Sequence, residues 1–221
     1  MAKVTAPILS MRARGQIGKS QVYASWRGVP YARQLVTPTN PNTSGQQATR
    51  GVFSSMQDLW KRLGSLSRDP WTLYAKGKPF TDRNAITSKN VAAMRGQADR
   101  QLYVGSPGAR GGVAPTAIAA VGGAASGEID VTVTSPPTPT GWTLVSVICS
   151  AIEDGDPATL VPSPIAEAEN AAPVEDGDTD VTLTGLTGGT SYVVAAWLEW
   201  TKSDGSSAYG ASLVTTASAT V

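Results

Sequence analysis

Val22, Ala24 and Trp26 alternate with Gln21, Tyr23 and Ser25. A second extended run follows Arg27-Gly28 and continues to Val36. Alternation on both sides of a short turn predicts a β-hairpin with aromatic positions on both strands. The stretch 37–43 carries two prolines and ends in helix-capping residues, so it should run extended into a helix start. Ala48, Val52, Met56, Leu59 and Leu63 then recur every three or four positions, widened by Phe53 and Trp60, which predicts a helix from Ser44 to Leu63. Gly64 should stop it. Asp69-Pro70 is a cap followed by proline at a first helical position, predicting a second helix that carries Trp71, Tyr74 and Ala75 on one face and ends at Gly77. Asp82 can cap a third helix running through Ile86, Asn90 and Val91.

The pattern changes after residue 113. Ile129, Val131 and Val133 alternate with polar residues and end at Pro136-Pro137. Trp142 to Cys149 is nearly continuous in apolar residues, which fits a central strand covered on both faces. Simple alternation puts Trp142, Leu144 and Ile148 on one face and Val145, Val147 and Cys149 on the other. Strands are also expected at 180–184, 191–201 and 208–215, separated by turn signals. Short strands at this spacing predict an antiparallel sandwich of 113–221. The predicted fold class is therefore an α+β N-terminal module, a β-hairpin plus two or three helices, followed by an all-β immunoglobulin-like or fibronectin type III-like sandwich.

Charge sharpens this division. The net charge is +1, yet residues 1–110 hold 17 of the 18 Lys/Arg and 4 of the 17 Asp/Glu. Residues 111–221 hold Lys202 against the remaining 13 acids. The sign changes inside the Gly-rich stretch 105–112, which reads as a linker. The expected domains are a basic docking domain at 1–104, the linker at 105–112 and an acidic sandwich at 113–221.

Composition narrows the chemistry. The chain has no His, the commonest general base and metal ligand, and a single Cys, Cys149, so no intramolecular disulfide framework or Cys-rich zinc site is expected. No nucleophile–base pair, phosphate loop or metal box stands out. The expectation is a protein that is not an enzyme and has no catalytic residue, cofactor or metal. The clusters Glu153-Asp154-Gly-Asp156 and Glu175-Asp176-Gly-Asp178-Thr-Asp180 could bind calcium, but they lack EF-hand spacing and read first as turn-forming loops. No window is apolar enough to span a membrane, and the N-terminal residues do not form a secretory signal.

Two resemblances add to these readings. Leu186-Thr-Gly-Gly189-Thr-Ser-Tyr192 precedes the longest strand and resembles the tyrosine corner of fibronectin type III and immunoglobulin-like domains. The likeness implies that the Tyr192 hydroxyl bonds back to upstream backbone, that Gly188 and Gly189 make the turn, and that Trp142 is the buried aromatic of the preceding strand. Without a Cys pair the fibronectin-like type is expected. In the basic half, Trp26-Arg27-Gly28, Tyr31, Arg33, Asn40-Pro-Asn-Thr43, Gln46-Gln47, Arg50 and Arg68-Asp-Pro-Trp71 together resemble small proteins encoded in the structural gene blocks of tailed phages and prophages. That resemblance covers about residues 15–95. It implies a virion component made in the host cytoplasm, with capsid decoration or minor head protein as the first reading and tail or head–tail connector as the alternative. The implied partners are other virion proteins, capsid or tail, in many copies or a symmetric oligomer, with a host surface open to the sandwich.

The excess of cations needs a negative counter-surface. No helix-turn-helix, zinc-finger, RRM or KH signature is present, so an acidic protein is preferred, with nucleic-acid binding by the basic half as the further alternative. Trp26, Arg27, Tyr31 and Arg33 on the hairpin are the candidate docking residues. Trp26, Trp60 and Trp71 are nevertheless read first as core aromatics rather than as a base-stacking platform.

Overall fold

The computed structural model describes residues 3–4, 13–27, 29–37, 39–95, 97, 99, 101–157 and 165–221. The chain divides into two compact units, Met1–Asn42 and Thr43–Val221. It is a mixed α and β protein, rich in antiparallel sheet, with three helices among the described residues.

The first unit is one antiparallel sheet in the order β1 (Lys3–Val4), β2 (Ala13–Ile17), β3 (Gln21–Trp26) and β4 (Val29–Gln34). The predicted hairpin is its β3–β4 half, joined in register from Gln21 opposite Gln34 to Trp26 opposite Val29. The sequence did not announce β2, in which Gly15 (φ 116°) interrupts the alternation.

The second unit begins with the helices. Helix α1 (Ser44–Arg62) is capped by Thr43, whose side chain accepts the Gln46 N–H, and it buries Val52, Met56 and Leu59 as its spacing predicts. Phe53 does not join that stripe and is 53% exposed. Helix α2 (Ser65–Ala75) starts before Asp69-Pro70 and holds Pro70 inside it. Its beginning is fixed from elsewhere in the fold, because the Gly64 N–H donates to Glu167 Oε1 at 2.7 Å across 103 residues. Helix α3 (Asp82–Met94) is capped by Thr81 rather than Asp82, and it buries Ala85, Ile86, Asn90 and Met94.

Two sheets follow. One is three-stranded, ordered β10 (Asp178–Leu183), β7 (Ile129–Thr134), β6 (Ala117–Gly122). The other is six-stranded: β5 (Pro107–Ala109), β12 (Ser207–Ala211), β11 (Ser191–Thr201), β8 (Thr143–Glu153) and β9 (Ala166–Asn170) lie in that order, and β13 (Leu213–Ser218) also pairs with β11. One core joins the two sheets. It contains Ile129, Val131 and Val133 of β7, Val147, Cys149 and Ala151 of β8, and Tyr192, Val194, Ala196 and Leu198 of β11. A second core lies on the opposite face of the six-stranded sheet. There Ile148, Ile152, Val193, Ala195 and Trp197 meet Val52, Met56, Leu59, Trp71 and Ile86 of the helices. The six-stranded sheet is thus covered on both faces, which is why its two long strands are apolar at consecutive positions.

Three expectations are corrected here. The helices belong with the sheets and not with the hairpin, so the division falls after residue 42 rather than across 105–112. Those glycine-rich residues are not a free linker. Pro107–Ala109 pairs with β12, the buried Trp71 Nε1–H donates to the Gly105 carbonyl at 2.8 Å, and Asn90 clamps Val104 through both its N–H and its C=O. Glycine is needed at 112 because a Cβ there would overlap the Tyr209 backbone. Finally, the β8–β11 register shifts between Glu199 and Trp200, with Glu199 opposite Ser146 and Trp200 opposite Leu144. Val145 is therefore the extra residue of a β-bulge, and Leu144 turns to the same core as Val147 and Cys149 while Val145 stays exposed.

Candidate docking surface

The turn between β3 and β4 sets the geometry. Arg27 has φ 50°, the left-handed region that two-residue hairpin turns require. The tight turn pairs Trp26 with Val29, and the two-residue period then pairs Ala24 with Tyr31 and Val22 with Arg33. Trp26, Val29, Tyr31 and Arg33 consequently share one face of the sheet. Trp26 is 67% exposed, Val29 65% and Tyr31 41%. The Arg27 guanidinium lies 4.8 Å from the Trp26 ring centroid, so the turn's cation covers part of an aromatic that is largely exposed. Trp26 is therefore not a core aromatic, whereas Trp71 is fully buried and Trp60 is half-buried under the Arg68 guanidinium. The four candidate docking residues fall together, with Val29 as a fifth that the alternation could have revealed. Residues 1–42 contain six Lys/Arg and no Asp/Glu.

The residues singled out in the acidic half have a structural role. Tyr192 is fully buried, and its hydroxyl accepts the Thr187 N–H at 2.9 Å. Leu186 packs in the core between the sheets. Gly189 takes φ 75° and donates its N–H to the Ala219 carbonyl at 2.9 Å. Trp142 differs from expectation. It lies just before β8, is half-buried, and meets the fully buried Trp200 edge-on with centroids 6.3 Å apart, while the Lys202 ammonium sits 4.8 Å above its ring. Trp200 is the anchored aromatic, its Nε1–H donating to the Val113 carbonyl at 2.9 Å.

Cys149 is buried between the sheets, and loss of solvent pushes its thiol up to about 12. A thiol held neutral is a packing group, not a nucleophile. Tyr209 donates to Glu199 Oε1 at 3.1 Å; burial, then that neighbouring carboxylate, push its phenol above the ordinary range. Among the described residues no group of three or more His, Cys, Asp or Glu is placed to hold a metal ion, and no helix is long and apolar enough to cross a membrane.

One surface was missed in the sequence. On the outer face of the three-stranded sheet, Thr134 Oγ1 donates to Asp178 at 2.6 Å, Thr132 Oγ1 to Asp180 at 2.7 Å and Thr182 Oγ1 to Asp130 at 2.7 Å. The signal was present as polar residues at every second position of β7 and β10, but their mutual register is fixed only by pairing.

The chain matches no known protein family and shows no significant similarity to any curated protein.

Proposed function

We propose that this chain is a non-enzymatic structural component of a phage particle, an auxiliary capsid protein present in many copies that docks on an acidic protein surface through its basic sheet. The observation that carries the docking is the β3–β4 face. It combines two exposed aromatics, an exposed valine and two arginines in a unit without an acid. Exposed Trp, Tyr and Arg are the side chains that anchor protein interfaces. The phage assignment rests on the resemblance over residues 15–95. The remainder we read as a fibronectin type III-like display domain. Support for that comes from the strand order β10-β7-β6 against β9-β8-β11-β12, and from the Tyr192 corner bond.

The test is incorporation into purified particles, measured by quantitative mass spectrometry. Trp26→Ala/Tyr31→Ala and Arg27→Glu/Arg33→Glu should each leave the particle largely without this protein, while Arg27→Asn, which suits the turn's positive φ, should retain folding. Particles that take up both double variants at the wild-type level overturn the proposal. Labelling the chain in electron micrographs then assigns head or tail.

A further inference from the structure

We infer that the acidic surface met by the basic sheet belongs to a second copy of this same chain, namely the outer face of its three-stranded sheet. The inference rests on the docking reading above and names its partner.

Both surfaces are antiparallel sheet faces with three rows of outward side chains. The basic face has the rows Trp26–Val29, Ala24–Tyr31 and Val22–Arg33, with Arg27 at the turn. The acidic face has the rows Val121–Asp130–Thr182, Ala119–Thr132–Asp180 and Ala117–Thr134–Asp178. Rows on either face repeat every two residues, about 7 Å, so cations and carboxylates can meet in step. Strands β6, β7 and β10 contain no Lys or Arg, just as residues 1–42 contain no Asp or Glu. The match is also apolar. Ala117, Ala119 and the 64% exposed Val121 form a smooth strip along β6, next to Asp130 and one strand removed from Asp178 and Asp180, as Trp26, Val29 and Tyr31 lie beside Arg27 and Arg33. Each Asp accepts one threonine hydroxyl at 2.6–2.7 Å. That bond holds the carboxylate on the face and leaves its other lone pairs for a guanidinium. The two surfaces are different patches, so the contact is heterologous and runs head to tail, closing into a ring or continuing along a surface lattice.

The experiment is sedimentation of the full-length chain. The wild type should self-associate, and raising salt from about 0.1 M to about 1 M should weaken association by roughly tenfold or more as the screening length shrinks to about 3 Å. Arg27→Glu/Arg33→Glu and Asp130→Lys/Asp180→Lys should each be monomeric alone. Mixed, they should associate again, beginning with a heterodimer in which one intact basic face meets one intact acidic face, and the two reversed faces, Glu on one and Lys on the other, are again opposite in charge. Asp130→Asn/Asp180→Asn keeps the threonine acceptors and the fold, and it should also lose self-association. A wild-type chain that is monomeric in low salt overturns the inference, as does a mixture that forms no heterodimer while both variants keep the wild-type melting profile. Particle incorporation separates the two readings. If the wild type is monomeric yet the arginine variant is lost from particles, docking stands and the acidic partner is another protein. If the arginine variant is incorporated normally, the docking reading itself fails.

Discussion

Tyr192 shows how much one side chain can hold. It is buried to 0% exposure, and its hydroxyl takes up the Thr187 N–H that the turn leaves without a ladder partner. Tyr192→Phe removes that acceptor and should destabilise the second unit by about 1 kcal/mol in denaturant unfolding. Tyr192→Ala adds a cavity and should cost about 3 kcal/mol or more. A neutral Tyr192→Ala would remove the corner from the account of the fold. Cys149 makes a second residue-scale prediction. Its folded thiol titrates at about 12 against an ordinary 9.0, so burial favours the neutral form. The stability linked to that shift is fully present below pH 9.0 and is lost as pH rises toward 12. Thiol reagents at mildly alkaline pH should leave the native chain unmodified and label it fully in denaturant; rapid native labelling would contradict the burial.

At the scale of elements, helix α1 and strands β7, β8, β10 and β11 were legible, because their apolar patterns mark strands and a helix face, whereas β5, β6 and β9 were not expected and the run 208–215 divides into β12 and β13. The start of α2 was not. Asp69-Pro70 has the local chemistry of a helix start, but Glu167 anchors Gly64 one turn earlier, and that partner is 103 residues away. The Gly-rich stretch was misread for a related reason. Glycine signals freedom when nothing crowds it. At 105 and 112 it is instead a packing requirement, against Trp197 and the Tyr209 backbone. A fragment of 113–221 should therefore not fold well. It lacks β5 and the helices, and would expose Ile148, Ile152, Val193, Ala195 and Trp197 on one sheet face. Dye binding with a broad, non-cooperative melt is the expected result; a sharp melt equal to that of the full chain would show the helices to be dispensable.

For the molecule as a whole, charge and fold divide the chain at different places. The cations of α1 to α3 lie on a layer whose other side is core, so charge sign followed the solvent surface rather than the domain boundary. Among the described residues, both hydrophobic cores are built from positions beyond Asn42. Removing residues 1–42 should thus leave the cooperative thermal transition of 43–221 within a few degrees of the full chain, while abolishing docking. A large drop in melting temperature would mean that the first unit contributes to the core. Uptake of the shortened chain into particles would move the docking surface elsewhere.

What the sequence determined by itself was local: the β3–β4 hairpin and the placing of aromatic and basic residues on it, though not the exposure of Trp26, the capped helix α1, several alternating strands, and the tyrosine corner five residues from its bonding partner. These depend on turn chemistry and on periods of two and 3.6, which neighbouring residues fix between them. The tertiary structure decided the rest. It assigned the helices to the outer face of the six-stranded sheet, turned Leu144 by a bulge, drew the Gly-rich stretch into a strand, and set three Thr–Asp pairs in register on one face. Each of those outcomes depends on which distant surface a residue meets, and periodicity along the chain carries no record of that.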